Sequence, residues 1–407
     1  MTADLPIVEI TTESSGSSLI AATLAAESVT IAHIGPLRVL VVLTQPPLPE
    51  GGAPGKVALG LLRGLAGHGV DVRAIAGLQH FAVPGDAPAE LPVELVPVAP
   101  LSEWRGRLGR IRRPRGELAG AFAARVAEAA EEVDVVHLDQ VETVWCAEAL
   151  TKPSALHVHY LARLDRPFGA PWRRQFRDVL DSVRIERRAL RSVRHLVASS
   201  PLVAEQLRRR APNAEVTLAP LSLDLDLYCP APLDGPPTAG LIGTADWPPT
   251  AAAIRLLLDD VWPRVRRRAP EAKLVLAGRG TGRLGLSSAP RVELAGEVDS
   301  ARGLFRRLSL LLFPLPRGSG MKVKVLEALA SGVPVVTTPA GAEGIAPSSG
   351  VIVETEPERL AAAAAELLID KRARRERGAA ARADFERLYA PGPATEPLVE
   401  LYRRMVR

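Results

Sequence analysis

The sequence predicts an α/β fold in which two doubly wound parallel sheets face each other across a cleft. Three observations lead to this prediction. The chain has 407 residues, which is more than one hydrophobic core usually holds. Short apolar segments alternate with helical patterns along most of it, as in βαβ units. Residues 221–238 contain four prolines and no helical period, which is typical of a linker between two similar halves.

The first half carries seven strand candidates. Residues 37–44 form a nearly continuous apolar run, as expected of a strand buried on both faces of a parallel sheet. The other candidates follow at residues 70–76, 93–98, 134–138, 155–160, 196–199 and 216–219. Helical patterns separate several of them, at residues 117–131, 174–193 and 202–210. We therefore expect a Rossmann-like domain over residues 37–220.

The second half repeats the alternation. Strands are predicted at residues 239–243, 272–277, 292–295, 310–315, 333–339 and 351–353. Helices are predicted at residues 251–268, 301–308, 321–331 and 357–369. This predicts a second Rossmann-like domain over residues 239–390, joined to the first by the linker 221–238.

The two ends of the chain stand outside these domains. Residues 391–407 form a terminal segment, in which a helix is predicted over residues 395–406 after two prolines. Residues 1–36 lack the basic segment and solid apolar core of a signal peptide. We interpret them as a disordered tail or as the result of a mis-assigned start.

The composition limits the possible partners. Apolar content of 47% and charged content of 24% are ordinary for a globular protein. Aromatic residues make up only 4%, which speaks against a nucleic-acid surface built on base stacking, although a net charge of +5 permits an anionic partner. The two cysteines lie far apart, so we predict no disulfide framework, no structural zinc and a reducing compartment. No run approaches 18 apolar residues, so no transmembrane helix is expected.

One stretch, residues 310–345, indicates an anion-binding site. A strand candidate ends in the turn Gly318 to Gly320, and a helix follows, so free backbone N–H groups meet the positive end of a helix dipole. Lys322 and Lys324 add two cations in a chain that has six lysines among its 51 basic residues. Glu327 lies in an apolar helix, where a carboxylate is costly to bury unless a polar group such as a ribose hydroxyl forms a hydrogen bond with it. The alternative is an ordinary surface pair of Lys324 with Glu327.

Two further motifs resemble ligand sites. Residues 51–56 (GGAPGK) look like a Walker A loop, but the spacing is one residue short and Val57 replaces the Ser or Thr that binds magnesium. We reject a P-loop NTPase, and the loop is either a simple turn or lies near an anion in the cleft. Asp224 and Asp226 have the outline of a metal pair without a third ligand, so we interpret them as polar linker residues and expect no bound metal.

Two basic features leave their interpretation open. His157 and His159 lie two apart near the end of a strand, so their side chains point to the same face of the sheet. Each is either structural or functional, and His159, nearer the cleft, is the preferred candidate. The segment Arg105 to Arg115 contains six arginines. It is either a solvated loop or a patch that binds phosphates or an anionic membrane surface.

With these features in place, the chain resembles a GT-B glycosyltransferase of the retaining family 4 type, also described as glycosyl transferases group 1. The most specific part is GSGMKVKVLEALASGVPVVTT at residues 318–338, which is similar to the form GSGxKxKxLEAxAxGxPVV of one branch of that family. Residues 184–200, 243–249 and 292–298 also match stretches of that branch. The resemblance implies an N-terminal acceptor-side domain, a C-terminal nucleotide-sugar-binding domain and a last helix that crosses back onto the N-terminal domain.

The resemblance also implies roles for individual residues. Glu327 would be the second Glu of the family's E-x7-E motif and would hold the ribose hydroxyls of the donor. Gly318 to Gly320 would bring backbone amides to the donor's sugar and diphosphate. Gly51 and Gly52 match a glycine loop that faces the diphosphate and sugar, and His159 matches a histidine near the transferred sugar.

The sequence departs from the family at two sites that bear on the donor. The first Glu of the motif would fall close to the donor sugar, and Ser319 occupies its position, which puts the choice of sugar in doubt. The Arg and Lys usual after the first strand of the second domain are replaced by Thr244 and residues 247–249 (WPP). We therefore expect the positive charge for the diphosphate to come from other residues: Lys322, Lys324, Arg279 and Arg317.

The predicted function is that of a retaining, hexosyltransferase-like enzyme that moves a sugar from a nucleotide-diphosphate sugar to an acceptor hydroxyl on a glycan, a lipid-linked compound or a small molecule. No metal or other cofactor is predicted, and His159, Lys322 and Glu327 are the predicted catalytic residues. The alternative is a non-catalytic module that binds nucleotide or glycan on a degenerate GT-B fold, which Ser319 supports. We expect no nucleic-acid partner and a cytoplasmic location, at the inner face of the membrane if Arg105 to Arg115 contact it.

Overall fold

The computed structural model describes residues 35–78, 90–98, 118–284, 291–298 and 300–407. The interpretation of the N-terminal tail up to residue 34 and that of the basic segment Arg105 to Arg115 lie outside the described residues. Within the part of the chain that the structure describes, no helix combines the length and the apolar character needed to cross a bilayer.

The first half forms a parallel sheet. Its strands are, in chain order, β1 (Arg38–Leu43), β2 (Asp71–Leu78), β3 (Val93–Pro97), β4 (Val135–Asp139), β5 (Ser154–Val158), β6 (His195–Ala198) and β7 (Glu215–Leu218). They lie in the order β3-β2-β1-β4-β5-β6-β7, and each neighbouring pair is parallel. The chain starts at the centre of the sheet, extends it to one edge and then returns to build the other, which is a doubly wound arrangement.

The second half forms another parallel sheet with the same kind of winding. Its strands are β8 (Thr238–Ile242), β9 (Lys273–Ala277), β10 (Val292–Gly296), β11 (Leu310–Phe313), β12 (Val335–Thr337) and β13 (Val351–Val353). Their order is β10-β9-β8-β11-β12-β13, again with parallel neighbours. The two sheets confirm the predicted fold class.

Helices connect the strands and cover the sheets. In the described part of the first half they are α1 (Ala53–Gly67), α2 (Ala121–Ala130), α3 (Val144–Ala147), α4 (Ala162–Asp165), α5 (Arg174–Ser192) and α6 (Pro201–Arg210). The second half contains α7 (Pro248–Leu256), α8 (Trp262–Arg268), α9 (Ala301–Phe305), α10 (Val323–Ala330), α11 (Pro357–Ile369), α12 (Lys371–Leu388) and α13 (Pro391–Met405).

Apart from the four-residue helices α3 and α4, which were not predicted, the clearest differences from the sequence-based expectation are in the second half. The helix predicted over residues 251–268 is divided by a π-helical turn at Leu257–Val261, which lies between α7 and α8. Helix α12 was not predicted, because its stretch of arginines and alanines has little apolar periodicity. The terminal helix begins at Pro391 rather than at residue 395, since a proline in the first turn has no N–H that would need a partner.

The two faces of the first sheet are covered by different elements. Val39 and Val41 of β1 belong to a core that includes Leu398 of α13, together with side chains of α1. Leu40 and Val42 point to the opposite face, into a core that includes side chains of α2. Burial on both faces explains why β1 is apolar along its whole length. Helix α13 thus packs against the sheet of the first half.

Candidate active site

The carboxyl ends of the two sheets open into one cavity of about 710 Å³. The first sheet contributes residues that directly follow its strands, such as Thr44 after β1 and Gln140 after β4, and the second sheet contributes Gly243 after β8 and Leu315 after β11. Cavities of this size hold small molecules, and ligands of doubly wound sheets bind at this edge. The fold therefore places the candidate site between the two halves, as the sequence predicts.

The glycine-rich turn between β11 and α10 approaches the first half closely. Gly320 has a φ of 68°, which favours glycine. A Cβ atom on this residue would lie 1.8 Å from the backbone oxygen of His159. The same oxygen accepts a hydrogen bond of 2.7 Å from the Ser199 hydroxyl. A residue without a side chain is thus required for the turn to meet the end of β5.

Ser319 joins the two halves rather than facing the cavity with free groups. Its backbone N–H donates to Asp165 Oδ1 over 2.7 Å, and its hydroxyl donates to the same oxygen over 2.6 Å. The hydroxyl oxygen accepts from the backbone N–H of Leu161 over 2.8 Å. One of the amides expected to face a diphosphate is therefore occupied by a carboxylate of the first half.

The two lysines of the stretch lie in the cavity wall. Lys322 Nζ donates to the backbone oxygens of Ser319 and Gly320 over 2.9 Å and 2.5 Å. Lys324 Nζ lies 3.3 Å from Thr250 Oγ1 and 4.5 Å from the centre of the Phe313 ring. Burial lowers the pKa of each ammonium group to about 8. Both are cations at neutral pH that an anion in the cavity would stabilise further.

The carboxylate of Glu327 accepts hydrogen bonds from two side chains that lie far from it in the sequence. Only 5% of its surface is exposed. Lys56 Nζ donates to Oε1 over 2.6 Å, and the Tyr228 hydroxyl donates to the same oxygen over 3.1 Å. The alternative interpretation of Glu327 as half of a surface pair with Lys324 is wrong, because Glu327 is buried and its ion pair is with Lys56. Both bonds end on Oε1, so neither uses the second oxygen, Oε2.

The structure does not bring every predicted donor-binding residue into the cavity wall. In the first half, Ala53, Pro54 and Lys56 line the cavity, whereas Gly51 and Gly52 lie outside the lining and Gly52 caps α1. In the second half, Gly318 and Gly320 flank Ser319 but are outside the lining themselves. The side chains predicted to assist the lysines are exposed and likewise outside the lining: Arg279 and Arg317.

His159 lines the cavity and is oriented by a carboxylate. Its Nε2 lies 2.8 Å from Asp139 Oδ1, and Asp139 is 1% exposed. The ring of His157 packs edge-on against that of His159, with 4.6 Å between the ring centres. Of the two strand histidines, the structure therefore places His159 in the cavity and His157 beneath it.

A cluster of buried polar side chains lies next to His159, on the side away from the cavity. Ligand atoms of His137, Asp139 and His157 all lie within 4.8 Å of one another, a spacing that could accommodate a metal ion. His137 Nδ1 lies 2.6 Å from the hydroxyl of Tyr402 in α13. Burial lowers the pKa of His137 to about 4 and holds that of His157 well below its usual range, so both rings are neutral at neutral pH. The sequence gives no local motif for this cluster, because its members come from two strands and the last helix.

Asp224, whose metal-binding role the sequence analysis rejected, has structural partners. Its side chain accepts a hydrogen bond from the backbone N–H of Asp226 over 3.3 Å and pairs with Arg63 of α1. These contacts fit the interpretation of the two aspartates as polar linker residues. The linker contributes Leu221 to the cavity lining, and its Tyr228 donates a hydrogen bond to the lining residue Glu327.

Lys56 and Asp165 line the cavity and were not among the predicted site residues. Lys56 belongs to the loop that was set aside as an imperfect Walker A motif, although three of the six lysines in the chain (Lys56, Lys322 and Lys324) line the cavity. That rarity was a usable signal. Asp165 lies at the end of the four-residue helix α4 and carries no motif, so only the fold reveals its position.

Two family models match the chain, one in each half. Residues 52–222 match the model described as "Glycosyl transferase 4-like domain". Residues 236–370 match the model described as "Glycosyl transferases group 1". Together they cover most of the chain, including both sides of the cavity. No curated protein matches the sequence significantly.

Solved structures share the fold at low identity. Sucrose-phosphate synthase from Thermosynechococcus elongatus superposes with a TM-score of 0.69 at 17% identity, over 91% of this chain and 99% of that chain. Anabaena HepE in complex with UDP and glucose gives a TM-score of 0.60 at 18% identity, over 90% and 99%. A variant of S. aureus TarM in complex with fondaparinux, alpha-GlcNAc-glycerol and UDP gives 0.64 at 10% identity, over 90% and 99%.

Proposed function

Because the chain belongs to the group 1 glycosyltransferases of the GT-B fold, we propose that it transfers a hexose from a nucleotide-diphosphate sugar to an acceptor hydroxyl group. We further propose that the transfer retains the anomeric configuration and needs no metal ion. The observation that supports the donor class is that Glu327, Lys322 and Lys324 line one cavity between the two sheets. Membership of this family favours the enzyme over the non-catalytic module that the sequence left open.

The donor's nucleotide end is assigned to Glu327. Its Oε1 accepts hydrogen bonds from Lys56 and Tyr228, which hold the carboxylate in place. Neither bond uses Oε2. A ribose hydroxyl that donates to Oε2 would form a charge-assisted hydrogen bond in a buried site. Solved relatives of the fold are consistent with this donor class, since HepE has been crystallised in complex with UDP-glucose.

The diphosphate is assigned to the two lysines. The bond between the anomeric carbon and the phosphate oxygen breaks, and the leaving diphosphate takes the electron pair. Fixed cations stabilise that charge without reorganisation when they lie in a cavity with little water. Lys322 and Lys324 supply two charges there, beside the first turn of α10, whose dipole adds to them. This local charge is the reason for proposing that no metal is needed.

The sugar is assigned to the end of the cavity that His159 lines. The acceptor oxygen forms the new bond on the face from which the diphosphate departs, and its proton passes to the departing phosphate oxygen. Positive charge develops on the sugar ring in between. We propose that His159, oriented by Asp139, stabilises this charge from the first half of the chain.

The acceptor is proposed to be a hydroxyl compound of the glycan, lipid-linked or small-molecule class. Among the structures of the same fold, the TarM complex contains alpha-GlcNAc-glycerol together with UDP. A cytoplasmic location and a contact of Arg105 to Arg115 with the membrane remain predictions from the sequence.

A screen of nucleotide sugars tests the proposal. UDP-glucose, UDP-N-acetylglucosamine, GDP-mannose and ADP-glucose are compared by thermal shift, because a bound donor raises the melting temperature with its concentration. The best donor is then used in hydrolysis and transfer assays, with the anomeric configuration of the product read by NMR and with EDTA as the metal control. A protein that binds and turns over none of these donors would contradict the proposal. An inverted product, or activity lost in EDTA and restored by Mg²⁺, would contradict retention or metal independence alone.

A further inference from the structure

Asp165 is a buried carboxylate in the cavity wall that the steps above do not use. It ends helix α4, only 5% of its surface is exposed, and it lines the cavity together with His159 and Lys322. Burial raises its pKa, against the opposing effect of its hydrogen bonds from Ser319 and of the charges of Lys322 and Arg166. Desolvating a carboxylate is costly, so its position in the wall calls for a polar role.

The bonds that hold Asp165 occupy one of its two oxygens. The backbone N–H and the hydroxyl of Ser319 both donate to Oδ1, over 2.7 Å and 2.6 Å. Neither bond uses the lone pairs of Oδ2. The contact with Ser319 thus acts as a latch between the two halves, and it fixes the carboxylate while leaving the second oxygen to other partners.

The two lysines of the cavity wall have different acidic neighbours. Lys324 lies near the carboxylate of Glu327, and Lys322 lies near that of Asp165. His159 lies on the side of Asp165, because its backbone oxygen meets Gly320, which follows the Ser319 that binds Asp165. The ammonium group of Lys322 contacts the backbone of the turn that holds Asp165. In a nucleotide-diphosphate sugar, the ribose, the diphosphate and the sugar follow one another in that order. With the ribose on Glu327 and the diphosphate at Lys322, the sugar falls beside His159 and Asp165.

We infer that Asp165 accepts hydrogen bonds from hydroxyl groups of the transferred sugar through Oδ2 and thereby determines which sugar is used. The inference rests on the proposed function. An ionised carboxylate only accepts hydrogen bonds, and the two lone pairs of one oxygen suit hydroxyl groups on adjacent ring carbons. A sugar without those hydroxyls leaves Oδ2 without the hydrogen bonds that the sugar would donate, and a site built to bond a substrate hydroxyl rejects analogues that lack it by a large factor. Asp165 is therefore a specificity-determining residue contributed by the first half.

Two variants separate sugar binding from the latch. Asp165→Asn keeps a side-chain oxygen that can accept both bonds from Ser319, but it removes the charge and one acceptor. Ser319→Ala removes the hydroxyl, with its bond to Oδ1 and the bond that it accepts from the Leu161 N–H. It keeps the carboxylate and the backbone bond to Oδ1. If the latch were the whole role of Asp165, Ser319→Ala would be the more harmful change of the two.

The experiment compares UDP with UDP-glucose, and GDP with GDP-mannose, on the full chain. Calorimetry gives the Kd of the nucleoside diphosphate, and initial rates give kcat/KM for the sugar nucleotide. For the pair that the wild type uses, we expect Asp165→Asn to leave the Kd within about threefold and to lower kcat/KM about 100-fold. Ser319→Ala is expected to lower kcat/KM by less than about fivefold, because the backbone N–H of residue 319 still donates to Oδ1 and keeps the carboxylate in place.

Several results would overturn the inference and leave the proposed function standing. These are a kcat/KM within about threefold of wild type in Asp165→Asn, an equal loss of diphosphate and sugar-nucleotide binding, or a larger loss in Ser319→Ala. A wild-type protein that binds and turns over none of the donors in the screen above overturns the proposed function, and this inference with it.

Melting temperatures show whether the variants fold. If Asp165→Asn does not fold, Asp165→Glu takes its place, since it keeps the charge and moves it by one methylene group. We expect Asp165→Glu to change the ratio of kcat/KM for UDP-glucose over UDP-galactose by more than about tenfold. An unchanged ratio overturns the inference.

Discussion

Two glycine-rich loops precede a helix at the cavity, one in each half, and they do different things. In the second half, Gly320 is required because its backbone touches that of His159. In the first half, Gly51 and Gly52 lie outside the cavity lining, and the side chain that reaches the site is that of Lys56, in the first turn of α1. A glycine motif therefore locates the start of a helix at the cleft, but the packing around it decides whether the loop contacts the other half or supplies a side chain to the cavity.

The largest effect is expected from Gly320→Ala. The added Cβ would clash with the His159 carbonyl, and the residue would keep a positive φ, so we expect the free energy of unfolding to fall by about 4 kcal/mol from strain and overpacking. A displaced turn should also lower turnover by about 100-fold. Chemical denaturation and donor hydrolysis measure the two effects.

Gly52→Ala is the matched control for this variant. Its Cβ would meet its nearest neighbours at 3.7 Å, in the space of an ordinary contact. Stability should stay within about 0.5 kcal/mol of wild type. Equal damage from both substitutions would remove the distinction between the two loops.

A second effect concerns the cation of the first loop. Lys56→Met leaves Glu327 buried without its ion-pair partner, so we expect the free energy of unfolding to fall by about 3 kcal/mol. In the double variant Lys56→Met/Glu327→Gln the charge that would be left unpaired is gone. The sum of the single effects should therefore exceed the effect of the double variant by about 1–3 kcal/mol. Additive effects in denaturant unfolding would show that the two side chains do not interact.

A third effect follows from the lowered pKa values of the two lysines. Because Lys322 and Lys324 titrate at about pH 8, nucleoside diphosphate should bind most tightly below that pH, where both are charged. Between about pH 7 and pH 9.5 we expect the affinity for UDP to fall about tenfold or more. Asp165 and Glu343 are the acidic neighbours of Lys322, and Glu327 is that of Lys324. Calorimetry over this pH range provides the measurement, and a flat profile would contradict the assignment of the diphosphate.

The same pKa values predict that the stability of the fold, unlike the affinity for UDP, increases with pH. Burial favours the neutral lysines in the folded state, so the unfolded chain binds more protons between about pH 8 and the ordinary lysine pKa of 10.5. The contribution of these two groups to stability should therefore increase as the pH rises through that range.

The smallest effect is expected from the arginines of the second half. Arg279 and Arg317 are exposed and lie outside the cavity lining. We expect Arg279→Ala and Arg317→Ala each to change the Kd for UDP by less than about threefold, because exposed charges are screened by solvent. A loss comparable to that in Lys322→Ala would show that these side chains reach the donor.

The fold could be predicted well because the buried strands appear in the sequence as short apolar runs. Residues Val39 to Val42 are buried on both faces of a sheet, and only an apolar run can occupy such a position. Helix α12 escaped prediction for the opposite reason. It is rich in arginine, and the one arginine that is fully buried, Arg374, is not distinguishable in the sequence from its exposed neighbours.

The candidate site was only partly predictable, for a related reason. Lys322, Lys324 and Glu327 follow one another in a single helix, so their spacing could be read from the sequence. Lys56 meets Glu327 across 271 positions of chain, and Asp165 meets Ser319 across 154. Such pairs depend on the closure of two sheets against each other, which no local pattern encodes.

The position of the last helix has a consequence for how the chain is made. Leu398 and Tyr402 of α13 fill the same core as Val41 and Leu65 near the beginning of the chain. Domains usually fold in the order in which they are synthesised. Here one face of the first sheet cannot be completed until α13 has been made. During synthesis the apolar surface around β1 therefore stays partly uncovered while the entire second half is being produced, and the first core is completed only after the second.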